Sequence, residues 1–351
     1  MKFKISTAKM NTILGKLGKG VGNSKILPIT EYLRLELVDG NLRMTATDSS
    51  NFIDQMVDGV EGENGIAVVK ADRLIKLVSK TTKPEVEFEL TETHLEVRGN
   101  GVYKVELFET NEYPEYKFNE ESQGVAVKTE ELKKLFATNK SAIASEMLLP
   151  CLTGYKIGSE AVTTDGVKMC LNSTAILPNG EILVPQKLAD LLQVITADEV
   201  YIQVDGNNLL FTADRTIIFG PQLDGIEEFP DISGVMGIPY EQSAVVTRSS
   251  LVEALDRVSL FIDNTTNYGV KFTFKEDGLH VNDLKDKTVE AVAYVQKSLT
   301  EETELMFNIN YLNDLLGASG AENVTLHFGA ELPLKIQEEA AILILSTMSP
   351  E

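Results

Sequence analysis

The chain has 351 residues, 24% of them charged, and a formal net charge of -21. No apolar run approaches the roughly 18 to 20 residues a membrane-spanning helix needs, and Met1-Lys2-Phe3-Lys4-Ile5 moves straight into a strand pattern, so a soluble, cytoplasmic protein with room for two or three cores is expected. Two cysteines, Cys151 and Cys170, are too few for a disulfide framework and read as buried free thiols.

In chain order, one pattern returns six times. A short apolar run is followed by a Met or Leu, then by an apolar pair three and four residues on. The anchors are Met10, Leu74, Leu132, Leu188, Leu251 and Leu312, spaced 56 to 64 residues apart. Five residues before each anchor stand Ile5, Val69, Val127, Leu183, Val246 and Phe307, which suit strand ends. The pairs that follow are Ile13/Leu14, Leu77/Val78, Leu135/Phe136, Leu191/Leu192, Ala254/Leu255 and Leu315/Leu316, a spacing that puts side chains on one helix face. A repeat of this length indicates an array, a ring or a solenoid.

The stretches between helices alternate polar and apolar residues. After the second helix come 85–90, 94–98 and 102–107; after the fourth come 200–204, 208–212 and 216–219. Period two marks strands buried on one face. Each module therefore reads strand, helix, three strands, and the fold class is α+β. One module is too small to bury both a helix face and a sheet face, so modules should pair. A slower repeat shows how: Tyr113-Pro114-Glu115 returns 116 residues later as Phe229-Pro230-Asp231. Proline removes a ladder donor and fixes chain direction, as suits a linker. Three similar domains of two βαβββ modules each are expected, at 1–122, 123–241 and 242–351.

Charge is distributed unevenly. The expected helical segments 8–20, 71–83, 129–140, 185–196 and 247–259 hold 13 basic and 6 acidic residues, a net +7, while the remaining 288 residues hold 19 basic and 47 acidic, a net -28. The cations are Lys9, Lys16, Lys19, Arg73, Lys76, Lys80, Lys83, Lys133, Lys134, Lys140, Lys187, Arg248 and Arg257; Lys25, in the loop after the first helix, joins them as a DNA-binding candidate. Any one of these is an ordinary solvated surface residue, but as a set they suit wrapping around a polyanion. Such contacts position without reading sequence. No zinc-finger spacing or aromatic RNA-binding signature supplies base readout, and the sixth helix (310–318) has no cation.

Nothing points to catalysis. His94, His280 and His327 have no metal-ligand spacing, and no phosphate loop, Gly-x-Ser-x-Gly or His-Glu-x-x-His occurs. Asp48, Asp165 and Asp283, one per domain at turns between strands, read as Asx-turn residues rather than catalytic acids. No cofactor, metal or catalytic residue is expected, so the chain is read as a non-enzyme.

The opening Met1-Lys2-Phe3, Lys25-Ile26-Leu27-Pro28-Ile29, Leu42-Arg43-Met44-Thr45-Ala46-Thr47-Asp48, Asn111-Glu112-Tyr113-Pro114-Glu115, the Thr163-Thr164-Asp165-Gly166 turn and the Gly225 to Asp231 segment resemble the bacterial sliding clamp, the beta subunit of DNA polymerase III. The resemblance spans the chain, with specific matches mainly in its first two thirds. It implies a processivity factor: a head-to-tail homodimer forming a six-domain ring, helices inside and sheet outside, around non-specifically held duplex DNA. The dimer contact would use Tyr103, Val105 and Leu107 of the first domain and Phe261 and Ile262 of the third. The replicative polymerase and the clamp loader would insert short peptides into a pocket of Leu152, Thr164, Gly166, Val167, Lys168 and Met169, closed by Ile344, Leu345, Ser346, Thr347 and Met348. Val167-Lys168 stands where the family commonly has His-Arg, and Ser346-Thr347-Met348-Ser349 where it often ends in Met-Pro-apolar-Arg. These departures suit a divergent member, such as one encoded by a phage or another mobile element. The alternative reading is a non-catalytic protein scaffold of the same architecture that does not encircle DNA.

Overall fold

Six copies of one βαβββ module follow each other in the computed structural model, which describes every residue except 120, 121, 123, 146–148, 174, 175, 178, 179, 286, 350 and 351. The expected junction at 122/123 and the last residue of the chain therefore touch residues outside the described set. The first module is β1 (Lys2–Ser6), α1 (Thr7–Leu17), β2 (Tyr32–Val38), β3 (Asn41–Thr47) and β4 (Phe52–Val57), followed by a two-residue strand, β5 (Gly62–Glu63). The second is β6 (Gly65–Lys70), α2 (Ala71–Ser79), β7 (Glu85–Leu90), β8 (His94–Arg98) and β9 (Val102–Phe108). The third is β10 (Gly124–Lys128), α3 (Thr129–Asn139), β11 (Gly154–Ile157), β12 (Ala161–Thr164) and β13 (Lys168–Asn172). The fourth is β14 (Ile182–Pro185), α4 (Gln186–Leu192), β15 (Glu199–Asp205), β16 (Asn208–Ala213) and β17 (Thr216–Pro221), with a single helical turn, α5 (Ser233–Met236), after it. The fifth is β18 (Gln242–Thr247), α6 (Arg248–Ser259), β19 (Gly269–Lys275), β20 (Gly278–Asp283) and a last strand broken into β21 (Val289–Val292) and β22 (Tyr294–Ser298). The sixth is β23 (Thr303–Asn308), α7 (Ile309–Ala318), β24 (Asn323–Phe328), β25 (Leu334–Gln337) and β26 (Ala341–Leu345).

The apolar repeat is what packs each module. Every strand-end residue from Ile5 to Phe307 is buried, and so is every helix anchor and pair residue except Leu77, which is half-buried. Burying one such aliphatic side chain is worth roughly 1.5–3 kcal/mol, so each helix is held by its apolar stripe more than by its own propensity. Local caps fix two helix starts: Ser6 Oγ accepts from Lys9 N, and Asn308 Oδ1 accepts from Asn310 N at 3.0 Å.

Several helices stop earlier than the sequence pattern suggests. α1 ends at Leu17, and Gly20 follows so close to Ile53 that a Cβ there would lie 2.3 Å from its Cγ2. α2 ends at Ser79, ahead of Pro84. Lys19, Lys80 and Lys83 consequently sit on turns after helices rather than on helix faces, and Lys140 opens a short 3-10 helix that follows α3.

The chain forms two compact bodies, Met1–Leu132 with Lys187–Gln222 and Lys133–Gln186 with Leu223–Glu351. The first holds one antiparallel sheet in the order β10-β15-β16-β17-β4-β3-β2-β6-β9-β8-β7-β1-β5. Its β4–β17 ladder joins the first and fourth modules, from Gln55↔Thr216 to Phe52↔Phe219. Gln55 Nε2 donates to Arg215 O at 3.0 Å, Thr216 Oγ1 donates to Gln55 Oε1 at 2.9 Å, and Phe219 stacks on Tyr116 at 4.4 Å.

The second body holds a sheet in the order β14-β11-β12-β13-β26-β25-β24-β18-β22 and a smaller one, β21-β20-β19-β23. Here the β13–β26 ladder joins the third and sixth modules. A core of Phe272, Phe274, Phe307 and Phe328 lies under α6 and α7, with Phe274 and Phe328 stacked.

The two aromatic-Pro-acid segments are anchored rather than loose. Tyr113 is buried and its hydroxyl donates to Thr45 O at 2.9 Å and Tyr32 O at 3.2 Å. Glu115 ion-pairs with Arg34. Phe229 is buried with Cys151 and Leu183, and Lys156 lies 5.3 Å above its ring.

Candidate nucleic-acid face, peptide patch and open sheet edges

In the first body α1 and α2 lie side by side, Ile75 Cδ1 being within 3.3 Å of where a Gly18 Cβ would stand. Lys9, Lys19, Lys25, Lys80, Lys83 and Lys187 are exposed, Lys16 is half-buried, and none of them makes an ion pair among the described residues. Two further cations are exposed but partnered: Lys76 meets Asp72 one turn away at 2.7 Å, and Arg73 lies 3.9 Å from Glu106. Exposed pairs of this kind are worth little and open readily. Lys133, Lys134 and Lys140 belong to the second body, Lys134 and Lys140 exposed and Lys133 half-buried.

Two of the expected DNA contacts are otherwise engaged. Arg248 turns back on the end of α7, Nε donating to Ala321 O at 3.0 Å and Nη1 to Leu316 O at 3.2 Å, where a cation complements the unpaired carbonyls of a helix C-terminus. Arg257 forms a two-pronged ion pair with Glu290 of β21, at 2.8 and 3.2 Å, and that carboxylate raises the guanidinium pKa while its own is lowered. Arg248 thus acts on its own fold, and Arg257 carries a largely neutralised charge. Sequence spacing showed both on a helix but not the partners that reach them from 33 to 73 residues away.

The second body contains an apolar patch around the Thr164–Met169 turn. Asp165 Oδ1 accepts from Val167 N at 2.9 Å and Lys168 N at 2.7 Å, and Thr164 Oγ1 donates to Lys168 O at 2.7 Å. Gly166 has φ +87°, a left-handed value that the turn requires and other residues resist. Asp48 and Asp283 accept backbone N–H groups in the same manner. The reading of these aspartates as turn residues therefore holds.

Ser346 N donates to Val167 O at 3.0 Å, which ties the C-terminal tail to this turn. Below it, Leu152, Met169, Leu171, Phe229 and Ile344 form a buried floor, and Ala144, Ile232, Met236 and Ile342 stand half-buried at its rim. Val167, 41% exposed, projects beside them.

Two expected pocket residues face elsewhere. Alternation along β26 sends Leu343 and Leu345 into the opposite core, where Leu345 is fully buried. On β13 the Lys168 side chain is withdrawn toward α7, its Nζ 3.2 Å from Asp314, 3.7 Å from Asp165 and 4.8 Å above the Tyr311 ring. The rim residues on 223–236 and Ile342 had no sequence signal beyond ordinary hydrophobicity. Past Ser346 the tail runs on to β23, with Met348 N donating to Met306 O at 2.8 Å. A hollow of about 870 Å³ opens there between Met348, Lys271 and the Asn264–Asn267 turn.

Each body also has an open strand edge. β9 is paired to β8 from Val102 to Glu106 but to β6 only through Leu107 and Phe108, so its other edge is unpaired from Val102 to Glu106. Val102 and Tyr103 are 60% and 42% exposed there. Val105 is buried in its own core, and Leu107 is already paired with Val69, so neither contributes an outward side chain and a free edge as expected. In the second body β21 ends its sheet, with Val289 59% exposed. Phe261 is 50% exposed and Ile262 packs half-buried against the core, while Leu260, which the pattern did not single out, is 81% exposed. Exposed apolar edges of this kind invite pairing with another chain.

No catalytic constellation accompanies these features. Among the described residues no group of three or more His, Cys, Asp or Glu is placed to hold a metal ion, and no helix is long and apolar enough to cross a membrane. Both cysteines are buried free thiols, and burial pushes Cys170 up to about 12, which leaves it unreactive.

Family models match in two places: the DNA polymerase III beta subunit N-terminal domain at residues 1–117 and its C-terminal domain at 237–347. The beta sliding clamp of Bacillus subtilis (strain 168) is 24% identical over 364 residues, covering 96% of each chain. That of Escherichia coli (strain K12) is 23% identical over 342 residues, covering 93% of this chain and 92% of the other. Among solved structures, the DNA polymerase sliding clamp from Bacillus subtilis superposes with a TM-score of 0.91 at 23% identity, covering 100% of both chains. The beta subunit from DNA polymerase of Streptococcus pyogenes gives 0.92 at 20% identity, again over the whole of both. With this six-module fold and its cationic turns and helices, the chain belongs to the family of DNA polymerase III beta subunits, the bacterial-type sliding clamps, which are non-catalytic processivity factors.

Proposed function

We propose that two copies of this chain close head to tail into a ring that encircles duplex DNA and tethers the replicative polymerase. The observation that carries this reading is the pairing of a full-length clamp fold with a helix-side concentration of positive charge in a chain of net charge -21. Three domains per chain, at 1–122, 123–241 and 242–351, give six in the ring, with helices toward the DNA. Phosphate contacts through Lys9, Lys16, Lys19, Lys25, Arg73, Lys76, Lys80, Lys83, Lys133, Lys134, Lys140 and Lys187 are weak and sequence-independent. Encirclement prevents loss, and weak contacts permit sliding.

Ring closure joins the free edge of β9, at Val102 to Glu106, to β21 of a second chain, with Leu260, Phe261 and Tyr103 packed beside it. A heterologous contact that closes on itself covers both open edges. The patch of Leu152, Met169, Ile344, Val167 and the tail Ser346–Met348 takes the apolar anchors of short peptides from the polymerase and the clamp loader. The protein works in the cytoplasm, on DNA.

Retention on closed circular DNA tests the reading. The loaded protein stays on the circle at high salt and leaves when one cut linearises it. Release from the intact circle as salt rises through about 0.2 M would mean surface binding instead.

A further inference from the structure

On the outward face of the first body's sheet, charged side chains of β2, β3 and β4 meet under the segment 113–116. Leu33, Leu35 and Leu37 of β2 are fully buried, so alternation turns Arg34 and Glu36 to the other face. In register, Arg34 stands beside Thr45 and Thr45 beside Asp54, while Glu36 stands beside Arg43. The segment is tied down across them, the Tyr113 hydroxyl donating to Thr45 O and the Tyr116 hydroxyl to Asp54 Oδ2 at 2.8 Å.

The charges in this cluster do not balance. Arg43 serves Asp54, its Nε donating to Oδ2 at 3.0 Å. Arg34 serves two carboxylates at once, Glu36 at 3.2 Å and Glu115, so one anion is in excess. The hydrogen bond from Arg34 holds the Glu115 carboxyl below its usual range, and it stays ionised at neutral pH. Two buried atoms are also left over. Asp54 is fully buried, yet its Oδ1 has no hydrogen bond among the described residues, and neither has Arg34 Nε. Buried polar groups are nearly always satisfied, by protein, water or a ligand. Beside them, hollows of about 250 and 430 Å³ share Arg34, Tyr113 and Glu115, the smaller walled further by Glu36, Arg43 and Phe52, the larger by Ile66 and Asn111.

We propose that these hollows dock an arginine of a protein partner, the guanidinium entering the smaller one between Glu36 and Glu115 while the partner's backbone continues past Ile66 in the larger. A planar fork of five N–H donors suits a site whose free atoms, Arg34 Nε apart, are carboxylate oxygens. A carbonyl of the same peptide is the acceptor that Arg34 Nε lacks. Anionic ligands meet an excess of negative charge here, and a chain of net charge -21 steers a basic segment toward it. The site shares no residue with the peptide patch of the second body, so a partner held here does not need that patch.

Fluorescence anisotropy of fluorescein-labelled Gly-Arg-Gly-Arg-Gly, titrated with the full chain at low salt, tests the site. The E36Q/E115Q variant is expected to bind this peptide roughly tenfold more weakly, and wild type to bind Gly-Lys-Gly-Lys-Gly roughly threefold or more weakly. E87Q/E89Q, which removes the same number of charges from β7, should stay within about twofold of wild type. Thermal unfolding checks that the variants are folded, and E115A, at a side chain 68% exposed, repeats the test should the double variant lose stability. Equal weakening by the two double variants reduces the attraction to diffuse charge and overturns the proposal. Wild-type affinity in E36Q/E115Q, or no saturable binding by wild type, overturns it as well, and equal affinity for the lysine peptide overturns the arginine assignment.

Discussion

Neutralising three cations that the structure leaves unpaired or exposed tests the DNA face quantitatively. Lys80 and Lys83 stand on the turn after α2, and Lys134 is exposed on α3. In K80Q/K83Q/K134Q each subunit loses three phosphate contacts. Each contact contributes about 0.9 to the slope of log K against log salt, so the slope should flatten by about 2.7 for the three contacts of one subunit and by about 5.4 where both subunits of the ring engage the duplex. Arg257 supplies the contrast: Glu290 already neutralises it, so R257Q should change the slope by well under one. Anisotropy titrations with a labelled duplex between about 20 and 200 mM salt read both quantities. A slope that moves by less than about one in the triple variant, or as much in R257Q as in the triple variant, would refute the assignment of these turns to DNA.

Further outcomes follow from individual contacts. Y113F removes a hydroxyl that serves two buried carbonyls and should cost about 1–3 kcal/mol in the first body, read by calorimetry. V167S should weaken binding of a partner-polymerase peptide, measured by titration calorimetry, with little change in unfolding temperature; L345A should lower stability by about 2–5 kcal/mol because that side chain fills a core. Burial, and then Lys335, depress the His327 pKa below its usual value. The unfolded chain therefore binds the proton more readily, the favourable neutral state is fully populated above about pH 6.5, and stability falls as pH drops through the lower folded value. H327Q should abolish the part of the pH 7 to 5.5 decline that His327 causes, measured by denaturant midpoints.

The architecture was largely legible because its determinants are local and repeated. A stripe at Met10, Ile13 and Leu14 must be buried somewhere, and its five further copies fix both module and order. Side-chain direction was less legible wherever a strand is buried on both faces. Ile342, Leu343, Ile344 and Leu345 are all apolar, so period-two reasoning cannot tell which pair meets the patch and which the core; only the ladder with β13 decides it. For Arg248 and Arg257 the sequence pattern could not show the groups that hold them, because those partners are distant in sequence. Val105 and Leu107 alternate like their neighbour Tyr103, yet burial in the core and the short β6–β9 ladder withdraw them from the edge. The cation bias survives these corrections, since eleven of the thirteen helix-segment cations remain candidates for phosphate contact.

Closure of the ring is the central claim, and electron microscopy of the purified full chain tests it most directly. Averaged particles should show closed rings of six similar lobes around a hole wide enough for duplex DNA. Three-lobed crescents that remain open at concentrations well above micromolar and in the presence of circular DNA would contradict the account.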